Sequence, residues 1–340
     1  MSTEQQNHMV WDQRKAGHYE VWYTTFNHLP SGTGFWIRYT LESPLPSHGD
    51  SYCQLWFALF DSHHPERNFG INRRFPLSEL QVGSDPFRIR IGPAELLHGA
   101  LKGALAGDSH EVSWDIGFKP STFVHRHLPD LVYRSSFADT TVLSPNLMVY
   151  LNGQVVVDGE TFALDGAPGC QTHLWGRKHA HAWAWGHCSA FREDPTACLE
   201  TLSVRLRRLG LVTPPLTFFS LYLGGDVYHF RRFGTLLRTR GRWETGLYRF
   251  SGVGHRFKVE GELRCRPEDL VQTQYADPDG EASFCHNTEA ADASITVWTR
   301  RSVGARFKRL CRLTSHGAGH FEYAGRSPDG RVLRRHVTVP

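Results

Sequence analysis

The stretch Gly169–Phe191, GCQTHLWGRKHAHAWAWGHCSAF, indicates the fold class. From His181 onward large and small side chains alternate. One parity carries His181, Trp183, Trp185, His187, Ser189 and Phe191, and the other carries Ala182, Ala184, Gly186, Cys188 and Ala190. A period of two predicts a β-strand, because successive side chains point to opposite faces of a sheet. The aromatic face suits the floor of a pocket, and the small face lets a second layer approach closely.

The rest of the chain repeats this strand pattern. Leu55–Phe60 is apolar on both parities, which predicts a strand buried on both faces. Asn152-Gly153, Asp158-Gly159 and Gly224-Gly225-Asp226 predict tight turns between strands. Helical possibilities are confined to short pieces such as Pro76–Leu80 and Pro267–Val271.

Short predicted strands recur along the chain at intervals of about ten residues, and this pattern predicts an all-β fold. We count roughly fifteen or more strands, and one antiparallel barrel uses about eight, so the chain fits two barrels. The predicted organisation is a disordered N-terminus over 1–16, an N-terminal barrel over 17–195 and a C-terminal barrel over 196–340.

Composition argues against several classes of protein. The formal net charge is only +4 over 340 residues, whereas a nucleic-acid-binding protein would show a sharper basic bias. No apolar run is long enough to span a bilayer, and the N-terminus lacks the apolar core of a signal peptide. The seven cysteines contain no C-x-x-C pair, which favours a reducing compartment over a disulfide framework or structural zinc. We therefore expect a cytoplasmic protein; the pattern gives no oligomeric state.

Four phrases of the sequence carry a resemblance to a known group. They are GFWIRYTLESP at 34–44, LWFALFD at 55–61, the stretch at 169–191, and CHNTEAADASITVW at 285–298. In this order they resemble the hydroxyneurosporene synthase (carotenoid hydratase), AttH-like and tocopherol-cyclase-like group, over about residues 17–298. The resemblance implies two lipocalin-like β-barrels packed together, large apolar substrates and chemistry without a redox cofactor. It assigns no catalytic residue, because the group's Asn-His-Asn-Trp-Gly pattern is replaced here by Gln171–Gly176.

Acid-initiated hydration or cyclisation of a polyene needs a positioned acid, aromatic faces that stabilise a carbocation, and a base. Glu200 shares a parity with apolar residues, so it is predicted to point inward, where burial raises the pKa of a carboxyl and makes it a general acid. Alternatively Glu200 pairs with a buried Arg177 or Arg38 in a structural role. His187 and His181 are the other catalytic candidates.

The candidate substrate-binding residues are aromatic or hydrogen-bonding side chains in three of the four phrases: Trp183, Trp185, His173, Trp175, Arg177, Trp36, Arg38 and Asn287. In the plainer interpretation the tryptophans are barrel core and the histidines bond the backbone. His179, His181, His187 and Glu200 offer the ligand types of a metal site, but the resemblance implies no metal, and no metal is predicted. No glycine-rich phosphate loop opens a helix, so no nucleotide cofactor is predicted either.

The leading hypothesis is therefore a cofactor-independent enzyme that acts on an apolar isoprenoid or polyene-like substrate in a β-barrel cavity. The reaction would be acid-initiated hydration or cyclisation, or a pericyclic ring closure. A carrier that binds a hydrophobic ligand without changing it is the alternative. A scaffold protein, the third hypothesis, would contain no enclosed cavity.

Overall fold

The computed structural model describes residues 2–134 and 138–339. Two large β-sheets make up most of this part of the chain. Seven short 3₁₀ helices, none longer than six residues, occupy the connections between the described strands: Glu4–Asn7, Pro46–His48, Pro65–Arg67, Leu77–Glu79, Val132–Arg134, Phe233–Arg238 and Pro267–Asp269. In the same two ranges no helix is long and apolar enough to cross a membrane.

The first sheet has thirteen strands within the described residues. Numbered in chain order, they are β1 His18–His28, β2 Thr33–Ser43, β3 Tyr52–Asp61, β4 Phe69–Pro76, β5 Leu80–Ser84, β6 Phe87–Ile91, β7 Ala94–Leu97, β8 Ala100–Gly107, β9 His110–Phe118, β10 His125–Arg126, β11 Thr140–Val157, β12 Glu160–Gly176 and, at the C-terminal end, β25 His336–Val339. Their order is β25-β4-β3-β2-β1-β12-β11-β9-β8-β7-β6-β5, with β10 on β11. β25 pairs parallel with β4, and the other pairs are antiparallel.

The second sheet has ten strands in the described part of the chain. They are β13 Ala182–Cys188, β14 Cys198–Arg205, β17 Leu216–Leu223, β18 Asp226–Phe230, β19 Thr239–Glu244, β20 Leu247–Val253, β21 Phe257–Arg264, β22 Val271–Ala276, β23 Ala282–Thr299 and β24 Lys308–Gly325; a separate pair is formed by β15 Arg207–Arg208 and β16 Leu211–Val212. Their order is β18-β17-β14-β13-β24-β23-β21-β20-β19, with β22 on β23.

Each sheet encloses its own apolar core, and a third cluster joins the two. Phe35, Phe57 and Trp114 belong to the core of the first sheet, whereas Phe250 and Phe321 belong to that of the second. The joining cluster combines side chains from both sheets: Trp36, Trp56, Ala58, Phe60, Trp183, Val271, Tyr275, Cys285, Ala290 and Ala324. The predicted all-β fold of two lipocalin-like barrels packed together is confirmed.

The chain passes from one sheet to the other inside the Gly169–Phe191 stretch. β12 ends at Gly176 in the first sheet, and β13 begins at Ala182 in the second. The chain therefore changes sheet before the predicted domain boundary between residues 195 and 196. At the C-terminal end, β25 returns to the first sheet. Sheet membership does not by itself define a folding unit, so the domain limits stay a prediction.

Two of the three tight turns lie where the sequence indicates. Asp158 and Gly159 both have positive φ between β11 and β12, and Gly224 and Gly225 both do so between β17 and β18. The hairpin predicted at Asn152-Gly153 is wrong: β11 runs through it with a register shift between Leu151 and Gly153. Gly153 has a φ of 125°, and a Cβ there would lie 2.1 Å from the Asp115 carbonyl oxygen of β9, so a glycine is needed at this bulge in the pairing with β12.

Candidate functional site

A cavity of about 540 Å³ lies between the two sheets. Its walls are mostly apolar and aromatic, which suits a ligand with a large hydrocarbon body. The first sheet contributes Val21, Tyr23, Trp36, Arg38, Val142 and Leu174, and the second contributes Trp183, Trp185, Leu202, Val204, Leu216, Phe218, Tyr275 and Glu322.

The two faces of β13 lie in different environments, as the alternation of its side chains predicts. Trp183 and Trp185 line the cavity, whereas Ala184 and Cys188 lie in the core of the second sheet. A Cβ on Gly186 would lie 2.7 Å from the Leu263 Cδ1 atom, so this face accepts another layer only because its side chains are small. The cavity floor and the close packing behind it therefore come from one strand.

Glu200 on β14 is the centre of a buried hydrogen-bond network. It pairs with His187 in the register between β13 and β14, and its Oε2 atom lies 2.9 Å from His187 Nδ1. Its Oε1 atom lies 2.7 Å from His127 Nε2 and also accepts a hydrogen bond from the Trp185 indole nitrogen. Only 1% of Glu200 is exposed. The carboxylate does not line the cavity, but it hydrogen-bonds two side chains that do, His127 and Trp185.

The pKa of Glu200 differs from the prediction. Burial raises it, but the charge and hydrogen bond of His127 and those of His187 outweigh burial and hold the pKa below its ordinary value. Glu200 is therefore an ionised carboxylate near neutrality, and the prediction that it is a protonated acid is wrong. The predicted arginine partners are also wrong, since Glu200 pairs with histidines rather than with Arg177 or Arg38.

His127 is the residue that the sequence analysis missed. It directly follows β10, which pairs with β11, and only 3% of it is exposed. Nε2 is bonded to Glu200, whereas Nδ1 has no hydrogen-bond partner among the described residues. The alternation His125-Arg126-His127 was the available signal, since it places two imidazoles on one side of a short strand. Nothing local to that segment indicates a contact with Glu200.

Two further polar groups face the cavity. Glu322 on β24 accepts a hydrogen bond from the Trp183 indole nitrogen. His181 lies at the cavity wall, where burial and then the charge of Arg207 lower its pKa. A neutral imidazole can accept a proton, so His181 is a candidate base in the cavity.

Four predicted substrate-binding residues lie away from this cavity. His173 is buried in the first sheet, where it hydrogen-bonds Glu20 Oε1 at 2.8 Å, and the Trp175 ring lies 4.7 Å from the His173 ring. The Arg177 side chain is 62% exposed and pairs with Asp139 at 3.1 Å. Asn287 is buried on β23. The structure brings Trp36, Arg38, His181, Trp183 and Trp185 together at the cavity, and places Glu200 and His187 behind its wall.

Metal-ligand atoms converge at two places in the described ranges. Cys170, His187 and His320 lie between the sheets, with ligand atoms within 4.8 Å of one another; Asp277, Asp279 and Glu281 form the other group. In the first group His320 already hydrogen-bonds Thr25 and Asn27, and in the second Lys178 bridges Asp279 and Glu281. His179 instead bonds Asp277 at 2.6 Å, so it does not join His187 and Glu200 as the metal alternative required.

These features define a class: double-barrel β-proteins that enclose an aromatic cavity between two sheets. The sequence profile of the tocopherol cyclase-like family matches residues 94–325. The chain belongs to the tocopherol cyclase-like family, as the resemblance predicted.

Relatives of several kinds share its sequence or fold. An uncharacterized protein of Mycobacterium tuberculosis is 26% identical over 303 residues, covering 84% of this chain and 83% of the relative. A probable chloroplastic tocopherol cyclase of Oryza sativa subsp. japonica is 25% identical over 171 residues, covering 49% of this chain but only 36% of the plant protein.

Two crystal structures resemble the whole fold. A putative AttH of Nitrosomonas europaea has a TM-score of 0.54 at 14% identity, covering 91% of this chain and 93% of that one. Kievitone hydratase of Nectria haematococca has a TM-score of 0.52 at 9% identity, with coverages of 89% and 88%. At these identities the two structures show a common fold.

Proposed function

We propose that this protein is an enzyme that protonates a carbon–carbon double bond of an apolar isoprenoid or polyene-like substrate and so starts a cyclisation or a hydration, without a redox cofactor. The observation that carries the proposal is the buried pair of His127 and Glu200 at the wall of an aromatic cavity. The plant relatives named tocopherol cyclase support a cyclisation.

His127 has the role of the acid in this proposal. Its ring lies against Glu200, whose pKa is held below its ordinary value, and Glu200 Oε1 is 2.7 Å from His127 Nε2. Glu200 also fixes the ring by holding Nε2, which leaves Nδ1 to meet the ligand. Glu200 is thus a positioning residue, and His127 is the group that contacts the substrate.

The proton and the electrons balance as follows. The Nδ1 proton of His127 adds to one carbon of the double bond, and the other carbon becomes cationic. The faces of Trp183 and Trp185 stabilise this cation by cation–π attraction. An oxygen of water, or of a hydroxyl on the substrate, then bonds to the cation and releases its proton to His181. The net result is addition of water or an isomerisation with ring closure.

The test is turnover of prenylated phenols and acyclic polyenes in D₂O, followed by mass spectrometry. Under this proposal each product molecule carries one carbon-bound deuterium, because the acid exchanges its proton with solvent. His127→Gln should abolish product formation while leaving retention of the same compounds intact. If the native protein retains such compounds but never transforms any of them, it is a carrier. If a product forms without carbon-bound deuterium, the ring closure is pericyclic and His127 is not its acid.

A further inference from the structure

Arg38 is a buried cation at the wall of the same cavity. It lies on β2, only 4% of it is exposed, and its guanidinium carbon lies 4.3 Å from the centre of the Tyr275 ring and 5.2 Å from that of Trp56. Nε donates a hydrogen bond to Thr40 Oγ1 at 2.9 Å. The aromatic rings and Thr40 therefore fix the guanidinium in place.

No protein carboxylate neutralises this cation at close range. Across residues 2–134 and 138–339, no carboxylate oxygen lies within 4.0 Å of the Arg38 nitrogens. In the same ranges the two terminal nitrogens have no hydrogen-bond partner. Glu42 follows on the same parity of β2; burial raises its pKa to about 8 although the charge of Arg38 opposes the rise, so Glu42 is largely uncharged near neutrality. A buried charge without a partner is costly, so its presence here calls for a function.

The other basic side chains at the cavity differ in this respect. Lys178 pairs with Asp279 at 2.6 Å, Arg326 with Asp277 at 2.9 Å, and Arg208 with Asp139 at 2.7 Å. Arg207 is exposed to solvent. Among the described residues that line the cavity, Arg38 is thus a buried guanidinium whose terminal N–H groups remain available to a ligand.

We infer that the cavity binds an amphipathic acid, a molecule with an apolar body and one carboxylate, and that Arg38 receives the carboxylate. A guanidinium presents parallel N–H donors that match the two oxygens of a carboxylate. The hydrocarbon body then lies along Trp183, Trp185 and Phe218. This inference deepens the proposed function, because it names the substrate class of the same cavity.

The experiment compares binding of cis-parinaric acid, a fluorescent polyene acid, with binding of its methyl ester. Hydrogen bonds to a charged group are strong enough for the native protein to prefer the acid by about 10- to 100-fold. Arg38→Met keeps the length of the stem and removes the charge, so it should bind acid and ester alike. Arg38→Lys should keep part of the preference. Arg73→Met is the matched control, since Arg73 stacks on Phe75 at an exposed position outside the cavity, and it should keep the whole preference.

Equal binding of acid and ester by the native protein, or no binding of the acid, overturns the inference. An acid preference that persists in a folded Arg38→Met also overturns it. If Arg38→Met does not fold, the acid preference of Arg38→Lys is compared with that of the native protein. A partly reduced preference supports the inference, and an unchanged preference overturns it. If the preference depends on Arg38 but no compound is ever transformed, the proposed function fails and the acid site stands.

Discussion

Replacement of Glu200 by glutamine probes the site most directly. The amide keeps the shape of the side chain but has one acceptor oxygen where the carboxylate has two, and its NH₂ group faces hydrogen-bond donors. In the native structure Glu200 has three buried partners, His127, His187 and the indole of Trp185. The substitution therefore leaves at least one of them unsatisfied.

The magnitude follows from this geometry. Removal of one partner of a buried ion pair costs about 3–5 kcal/mol, so the free energy of unfolding should fall by about that amount. A positioned general acid contributes about 10²- to 10⁴-fold to a rate, and most of this should disappear because His127 loses the carboxylate that orients its ring. The pH–rate profile should change as well. Glu200→Asp should restore part of the activity.

The assays are denaturant unfolding for stability and product formation over a range of pH for activity. Glu20→Gln is the matched control: Glu20 is also a buried carboxylate bonded to a histidine, His173 at 2.8 Å, but it is not at the cavity. It should lose stability and keep its pH–rate profile. If Glu200→Gln loses no more activity than Glu20→Gln, or keeps the native pH profile, the role of Glu200 in proton transfer is refuted.

Two further predictions concern stability. A pKa raised to about 8 means that folded Glu42 holds its proton more tightly than the unfolded chain, so its contribution to stability is complete below about pH 4.5 and is lost as pH rises to about 8. In the native protein the unfolding free energy should decline by about 1.4 kcal/mol per pH unit in this range, and Glu42→Gln should remove this decline. Urea titrations at several pH values measure the unfolding free energy of both proteins. The same dependence on pH in both would contradict the raised pKa of Glu42. Gly34→Ala should lower the unfolding free energy by about 1–3 kcal/mol, because its Cβ would lie 2.6 Å from the Glu289 backbone oxygen of the other sheet. Gly325→Ala, on β24 with open space around it and no positive φ, is the comparison for Gly34→Ala by thermal melting, and a Gly34→Ala loss no larger than that of Gly325→Ala would show that the sheets separate at little cost.

The sequence by itself determined the fold class, the strand at Ala182–Cys188 and the inward direction of Glu200. These are consequences of side-chain alternation, which depends only on the period of the extended backbone. The same alternation separated the cavity face of Trp183 and Trp185 from the packed face of Ala184 and Cys188.

The tertiary structure alone decided which sheet the strand joined, what Glu200 contacts and whether it is ionised. His127 is 73 residues away in sequence, and no local pattern indicates that it meets Glu200. Burial acting alone raises a carboxyl pKa, but two histidines brought to Glu200 by packing reverse the direction. The bulge at Gly153 has the same origin, since Asn152 and Gly153 stay within β11, which pairs with β9 on one side and is shifted in register against β12 on the other. The two-residue period of side chains is a local property of the backbone. Hydrogen-bond partners, and the charges that depend on them, arise instead from contacts between distant segments.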